Sequence, residues 1–171
     1  MTEPVGGRSV GMSVKRVEDP RILTGAGNYL DDVVVPGMLH AAFLRSQVPH
    51  GRLLSLDASE ARELPGVVAV YTGEDLQRLA EPVVGGAVSG FNMIPGMNLP
   101  TSHALATDKV RYVGDPVAFV VAETLAQAKD AAEAIELDIE PLPVVVDFTK
   151  ADAKGAPAIF DEVPDLSLIH I

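Results

Sequence analysis

The chain contains no cysteine. Disulfides, thiolate–zinc sites, iron–sulfur ligation and a cysteine nucleophile are therefore excluded within its 171 residues. Any iron–sulfur chemistry has to come from a partner. Positive charge is scarce: 13 Lys and Arg stand against 24 Asp and Glu, a net charge of −11. Nucleic acids and anionic membranes attract proteins mainly through a cationic face, so neither is expected as a partner. Long apolar runs are also missing. None reaches membrane-spanning length, and Met1–Gly7 is not of signal-peptide kind, so no membrane insertion and a cytoplasmic location are expected. The charge deficit is uneven, with six basic and five acidic residues over 1–55 but seven and nineteen over 56–171. A solvated acidic surface accounts for this better than a cation site.

What is present suits a folded domain. Apolar residues make up 47% and charged residues 22%, and a chain of this length buries roughly 70% of its unfolded surface in one core. Residues 1–12, small and rich in glycine, read as a flexible arm, with order beginning near Ser13. After Pro36-Gly37, Met38–Leu44 is almost continuously apolar, the pattern of a strand covered on both faces. Leu53 and Leu54 start a second strand. Asp57-Ala-Ser-Glu60 has capping-box spacing ahead of a helix through Ala61 and Leu64, which Pro65-Gly66 stops. Val67–Tyr71 is a third strand, and Thr72-Gly-Glu-Asp75 opens a short helix with Leu76 and Leu79 on one side.

Residues 81–102, rich in glycine and proline, are too irregular for an element and read as a long loop of the functional or partner-covered kind. Val110–Val113 and Val117–Ala122 read as a pair of strands, the second wholly apolar and hence central. Thr124-Leu-Ala-Gln127 starts a helix with Leu125, Ala128, Ala132 and Ile135 on its apolar stripe. Ile135, Leu137 and Ile139 then alternate with Glu136, Asp138 and Glu140, a strand with one buried and one acidic face. Elements alternate without internal repeats, which gives a mixed α/β domain.

The candidate chemistry is thin. Gly25-Ala-Gly27 starts like a dinucleotide loop but lacks the third glycine and a long helix behind it, so a turn is expected. Gly85-Gly-Ala-Val-Ser-Gly90 lacks the Lys-Ser/Thr ending of a phosphate loop. Glu18-Asp19 and Asp31-Asp32 lack the ordered oxygen ligands of a calcium loop, and capping or pairing with Arg16 and Arg21 is expected. His40, His50 and His103 have no metal-site spacing, and Ser46 near His50 has no oxyanion-hole motif beside it. Arg45 and Arg111 interrupt strand edges. Each could bind an anion, but pairing with an acid or meeting a partner surface is the expected role. The residues therefore describe an acidic α/β domain with no self-sufficient active site.

Five ordered stretches carry a resemblance: Arg16–Asp32, Pro36–Ser46, Leu64–Leu76, Lys109–Ala118, and Ala126–Asp147 with its Glu140-Pro-Leu-Pro-Val144. From about Gly11 to Pro164 the chain resembles the N-terminal part of molybdenum hydroxylase large subunits, the xanthine dehydrogenase, aldehyde oxidase and aerobic carbon monoxide dehydrogenase family. Bacterial subunits with a separate large chain are the nearest in pattern. One departure is Ser46-Gln-Val-Pro-His50, where that family commonly has proline directly after the serine. The resemblance implies an α/β hammerhead domain over residues 13–165, with a mixed sheet and short helices. It implies a parent oxidoreductase that hydroxylates an aldehyde or N-heterocycle, or oxidises carbon monoxide. The parent would use molybdenum on molybdopterin, in the cytosine dinucleotide form. FAD and 2Fe-2S subunits would receive the electrons, in a dimer of heterotrimers. The family's catalytic glutamate and pterin-cradling residues lie in later domains, so no catalytic, cofactor-binding or metal-binding residue is carried over to this chain. Scaffold and interface is the implied role, with the downstream molybdopterin-binding domains as first partner. A stand-alone, non-catalytic hammerhead assembly module is the alternative. A small-metabolite binder using Arg45, Arg111 and the long loop ranks last.

Leu166-Ser-Leu-Ile-His-Ile171 is what CTG TCT CTT ATA CAC ATC encodes, which looks like a transposon mosaic end. Residues 166–171 are therefore expected to be adaptor-derived, and His170 to have no function. Removing them is expected to leave the thermal midpoint unchanged. Apolar surface that meets downstream domains is expected around Phe91, Met93, Ile94 and Met97.

Overall fold

The structure is a computed structural model and describes residues 11, 13–79, 83–84, 100–151 and 153–163. The segment 85–99 with Phe91, Met93, Ile94 and Met97, the glycine loop 85–90, the arm apart from Gly11, and the 166–171 tail lie outside the described residues. The chain divides into two compact units, residues 1–38 and 39–171.

The first unit holds α1 (Asp19–Leu23), with proline in its first turn, and a single 3-10 turn, Leu30–Asp32. Proline suits that position because its missing N–H is one the helix would leave unpaired. Gly25, at φ +75°, closes α1 in the left-handed conformation glycine adopts without Cβ strain. The Ala26 N–H then reaches back to the Arg21 carbonyl at 2.9 Å.

The second unit is built on two three-stranded antiparallel sheets. The first orders β1 (His40–Arg45), β7 (Pro116–Ala122) and β3 (Val67–Thr72), with β7 in the centre as its apolar run implies. The second orders β6 (Lys109–Val110), β2 (Gly51–Asp57) and β8 (Glu136–Pro141). A two-residue ladder joins β4 (Val83–Val84) to β5 (Thr101–Ser102), so the expected long loop is partly strand. The helices are α2 (Ser59–Glu63), α3 (Gly73–Leu79) and α4 (Leu125–Glu133). The mixed α/β class holds. The sheet was expected to be mixed in direction, whereas every pairing among the described residues is antiparallel.

α4 lies across the first sheet and meets α2. Between them sits one core, Ala58, Ala61, Val70, Ala118, Val120, Ala131, Ala132 and Ile135. The alanines let helix and sheet approach closely, as small side chains should. A second core, Ala106, Val110 and Val117, is covered by Leu53, Leu137 and Ile139. Leu56 packs against both cores and links them.

Several expectations need correction. β6 and β7 are not a pair: they belong to different sheets, and Tyr112 and Val113 are exposed. The cause is the Asp115 carboxylate, which accepts the Arg111 N–H and removes it from any ladder. β1 is covered on one face only, with Ala42 and Leu44 packed inward and Phe43 45% exposed. β2 begins at Gly51, and Leu54 sits exposed at an irregularity in the register with β8. The α2 start uses no Glu60 reach-back; Asp57 accepts from the backbone and hydroxyl of Ser59 instead. Leu125 and Leu79 are exposed, while Ala131 joins the buried stripe of α4.

Candidate functional site

The turn between β6 and β7 brings together three of the residues the sequence singles out, Arg45, Ser46 and Arg111. Asp115, only 9% exposed, accepts the Arg111 N–H at 2.8 Å and donates its own N–H to the Tyr112 carbonyl. Gly114, at φ +90°, completes the reversal in a backbone region that side chains avoid. Its N–H donates to the Ser46 carbonyl at 2.8 Å, and the Ser46 N–H donates to the Asp115 carbonyl at 2.9 Å. The Gly-Asp-Pro turn is thus tied to the end of β1. Partial burial, and then the neighbouring Asp115 charge, push the Tyr112 hydroxyl above its ordinary pKa.

Ser46 and His50 are not arranged as nucleophile and base. The fully buried Ser46 hydroxyl donates to the Val48 carbonyl at 2.8 Å and accepts the Val48 N–H at 3.0 Å, closing a local turn. His50 is buried, and its Nδ1 lies 2.8 Å from the Pro143 carbonyl. A carbonyl can only accept, so Nδ1 carries the proton. Its Nε2 is buried without a protein partner. His40 begins β1, and His103 lies in the segment between β5 and β6. No group of three His, Asp or Glu side chains converges among the described residues.

The two arginines also have structural partners. Arg45 donates to the Gly114 carbonyl at 2.9 Å and covers the Phe43 ring at 5.2 Å, so within this chain its partners are a carbonyl and a ring, where an acid or a partner surface was expected. Arg111 donates to the Lys109 carbonyl and approaches Asp108 at 3.4 Å, with its guanidinium 4.9 Å from the Phe160 ring. It borders a cavity of about 280 Å³ that it shares with Tyr112 and Asp115. A carboxylate on that wall disfavours an anionic guest. In the first unit Arg21 pairs with Glu18 at 3.1 Å, and Asp32 accepts the Tyr29 N–H, so these acids cap and pair as expected.

A cavity of about 410 Å³ lies between β2 and α3 and is walled by Asp57, Glu74 and Asp75 with Arg62 as its cation. Hydrogen bonds from Ser59 hold Asp57 below the usual carboxylate range, and those from Thr72 do the same for Asp75. Both are ionised at neutral pH. A phosphate-bearing pterin cofactor would be repelled there, so this cavity does not fit that group.

The feature that sequence reasoning missed is the face of the first sheet turned away from α4. Cross-strand register puts Phe43, Phe119 and Tyr71 in one row, and Ala41, Val121 and Ala69 in the next. The Phe43 and Phe119 rings are 4.8 Å apart at 46°, and Tyr71 lies 6.4 Å from Phe119. All six are apolar or aromatic. Strand parity could have exposed this row, because Phe43 and Phe119 alternate with residues that pack inward.

Comparison with known proteins places the chain in a family. Residues 24–143 match the family model of the aldehyde oxidase and xanthine dehydrogenase a/b hammerhead domain. The nicotine 6-hydroxylase large subunit of Paenarthrobacter nicotinovorans is 40% identical over 162 residues, 95% of this chain and 19% of that protein. The solved Cu,Mo-CO dehydrogenase matches at 42% identity and a TM-score of 0.72, over 93% of this chain and 19% of that one. Quinoline 2-oxidoreductase from Pseudomonas putida 86 matches at 41% identity and TM-score 0.72, over 84% and 18%. The chain therefore spans about a fifth of the length of these relatives. It belongs to the aldehyde oxidase and xanthine dehydrogenase family, and residues 24–143 are its a/b hammerhead domain.

Proposed function

We propose that this chain is the hammerhead scaffold of the large subunit of a molybdenum-dependent oxidoreductase, and that it holds no reacting group of its own. The observation that carries this reading is the commitment of its chemistry-bearing side chains to the fold. Ser46, Arg45, Arg111 and Asp115 are each bonded to backbone in the turns that join the strands. The parent hydroxylates an aldehyde or N-heterocycle, or oxidises carbon monoxide, at molybdenum on molybdopterin in the cytosine dinucleotide form. The rest of the large subunit supplies the pterin site. FAD and 2Fe-2S subunits take the electrons in a cytoplasmic dimer of heterotrimers. The relatives' names and the match of residues 24–143 support this reading. The domain extends over residues 13–165.

The test is elemental analysis and oxidase assay of two proteins, the 171-residue chain and the longer polypeptide of the same reading frame, each produced with its neighbouring subunits. Molybdenum and substrate oxidation are expected only with the longer polypeptide. Stoichiometric molybdenum on the 171-residue chain would overturn the scaffold role, and a longer polypeptide without molybdenum would overturn the enzyme reading.

A further inference from the structure

Three separate stretches of chain, residues 102–106, 111–115 and 159–160, close on the cavity of about 280 Å³. The last stretch is held by the two acids that follow it. Asp161 accepts from the Lys109 ammonium at 2.6 and 2.7 Å, and Glu162 accepts the Thr101 N–H at 3.0 Å. Lys109 belongs to β6 and Thr101 to β5, so the wall carrying Ile159 and Phe160 is tied to two strands. The volume is at the small end for ligand sites, with room for about one substituted ring.

Arg111 decides the chemistry. Its terminal nitrogens are committed: Nη1 donates to the Lys109 carbonyl at 3.1 Å and Nη2 lies 3.4 Å from the Asp108 carboxylate, while the Phe160 ring covers the guanidinium at 4.9 Å. Its Nε is buried and has no partner among the described residues. Buried donors are nearly always satisfied, so this wall lacks an acceptor. Beside it Asp115, 9% exposed, uses Oδ2 for the Arg111 backbone N–H, and a carboxylate can accept more than one bond. The cavity therefore offers an N–H donor next to a carboxylate acceptor, with Ala106 and Ile159 as apolar surface. A charged guest of either sign gains from one of Arg111 and Asp115 and loses to the other. A neutral group with a carbonyl and an N–H side by side satisfies both, and leaves no added charge out of water.

We infer that this cavity binds a small, neutral, planar amide. Its carbonyl accepts the Arg111 Nε–H, its N–H donates to the Asp115 carboxylate, and its apolar body lies against Ile159 and Ala106. The inference goes beyond the scaffold reading and does not depend on it, because binding here involves no reacting group.

Titration of the isotope-labelled 171-residue chain with benzamide tests it, read by NMR at the Arg111 Nε–H and at the backbone amides. Benzoate and benzamidine serve as anionic and cationic guests of the same shape. His103 also borders the cavity, so the solutions are held at about pH 7.5, where an ordinary imidazole is mostly neutral. The expected result is saturable shifts at Arg111, Asp115 and Phe160, with a dissociation constant on the order of 1–10 mM for a guest of this size. Both charged analogues are expected to bind at least about tenfold more weakly, since each leaves one wall charge opposed. Equal or tighter binding of either analogue would overturn the amide assignment. No shift at Arg111 up to the solubility of benzamide would overturn the site, as would a long-lived water on the Arg111 Nε–H that benzamide does not displace. Arg111→Lys keeps the charge, lacks the Nε–H, and is expected to lose binding. Ile159→Trp fills the cavity from a wall that makes none of the Arg111 bonds, and is expected to abolish the shifts while the rest of the spectrum stays in place. Where Arg111→Lys does not fold, Ile159→Trp decides alone, and binding that survives it would place benzamide elsewhere and overturn the proposal.

Discussion

Asp115 acts on the fold through one backbone N–H. Its carboxylate accepts from Arg111 in a site that is only 9% exposed, so Asp115→Ala leaves a buried donor without a partner. That omission costs about 2 kcal/mol. Asp115→Asn keeps an acceptor oxygen and is expected to lose less, and urea unfolding of both variants checks the order. Asp75 gives a pH signature. The Thr72 N–H and hydroxyl, with Arg62 beyond them, hold its folded pKa below the ordinary value. A depressed carboxylate contributes stability above its unfolded pKa and loses it as pH falls through the folded value. Asp75→Asn should therefore melt earlier than the parent chain at neutral pH, with the gap narrowing on acidification. A gap that stays constant down to acid pH would show that the charge is not responsible. The site residues were legible as types, since an aspartate between glycine and proline announces a turn. Which donor it would satisfy was not, because the Arg111–Asp115 bond depends on where the strand stops.

Elements were legible where one pattern decided them. β7 is apolar throughout and lies centrally, β8 alternates as its carboxylates demand, and Thr124 caps α4 through the Gln127 N–H. Thr124→Ala should cost about 1 kcal/mol of stability, the usual loss for an N-cap hydroxyl. The pairing of β6 was not legible, because Val110–Val113 reads apolar whether it faces a core or water. Close approach between elements is equally invisible in a sequence. A Cβ on Gly73 would meet the Ala106 carbonyl and the Thr107 methyl, and the Ala106 backbone has little room to retreat because Ala106 belongs to the second core. Gly73→Ala should destabilise by about 2 kcal/mol through overpacking. A Cβ on Gly66 meets only the end of the Gln127 side chain, but its φ of +81° carries strain of its own. Gly66→Ala is expected to cost about 1–2 kcal/mol through that conformation. Thermal melts with Gln127→Ala added check the cause at residue 66: the second substitution removes the side chain a Cβ would meet, so the cost of Gly66→Ala is expected to persist when the conformation sets it.

At the scale of the whole molecule, an apolar sheet face sits on a chain of net charge −11. Charge repulsion keeps copies apart at neutral pH and low salt, while the apolar face attracts weakly over a small area. Moving the pH toward the isoelectric value near 4.6 removes the repulsion and leaves the attraction. Association is therefore expected to rise as the solution is acidified, and to rise less for a Phe43→Ser variant, which breaks the aromatic row at its exposed end. The substitution gives up the ring contacts with Phe119 and Arg45, about 1 kcal/mol together, so the variant should stay folded. Sedimentation velocity across the pH range reads both effects. Equal association of parent and variant would place the attraction elsewhere, for instance on the exposed Leu30 and Val34 of the first unit. A smaller rise in the variant identifies the sheet face as the sticky surface.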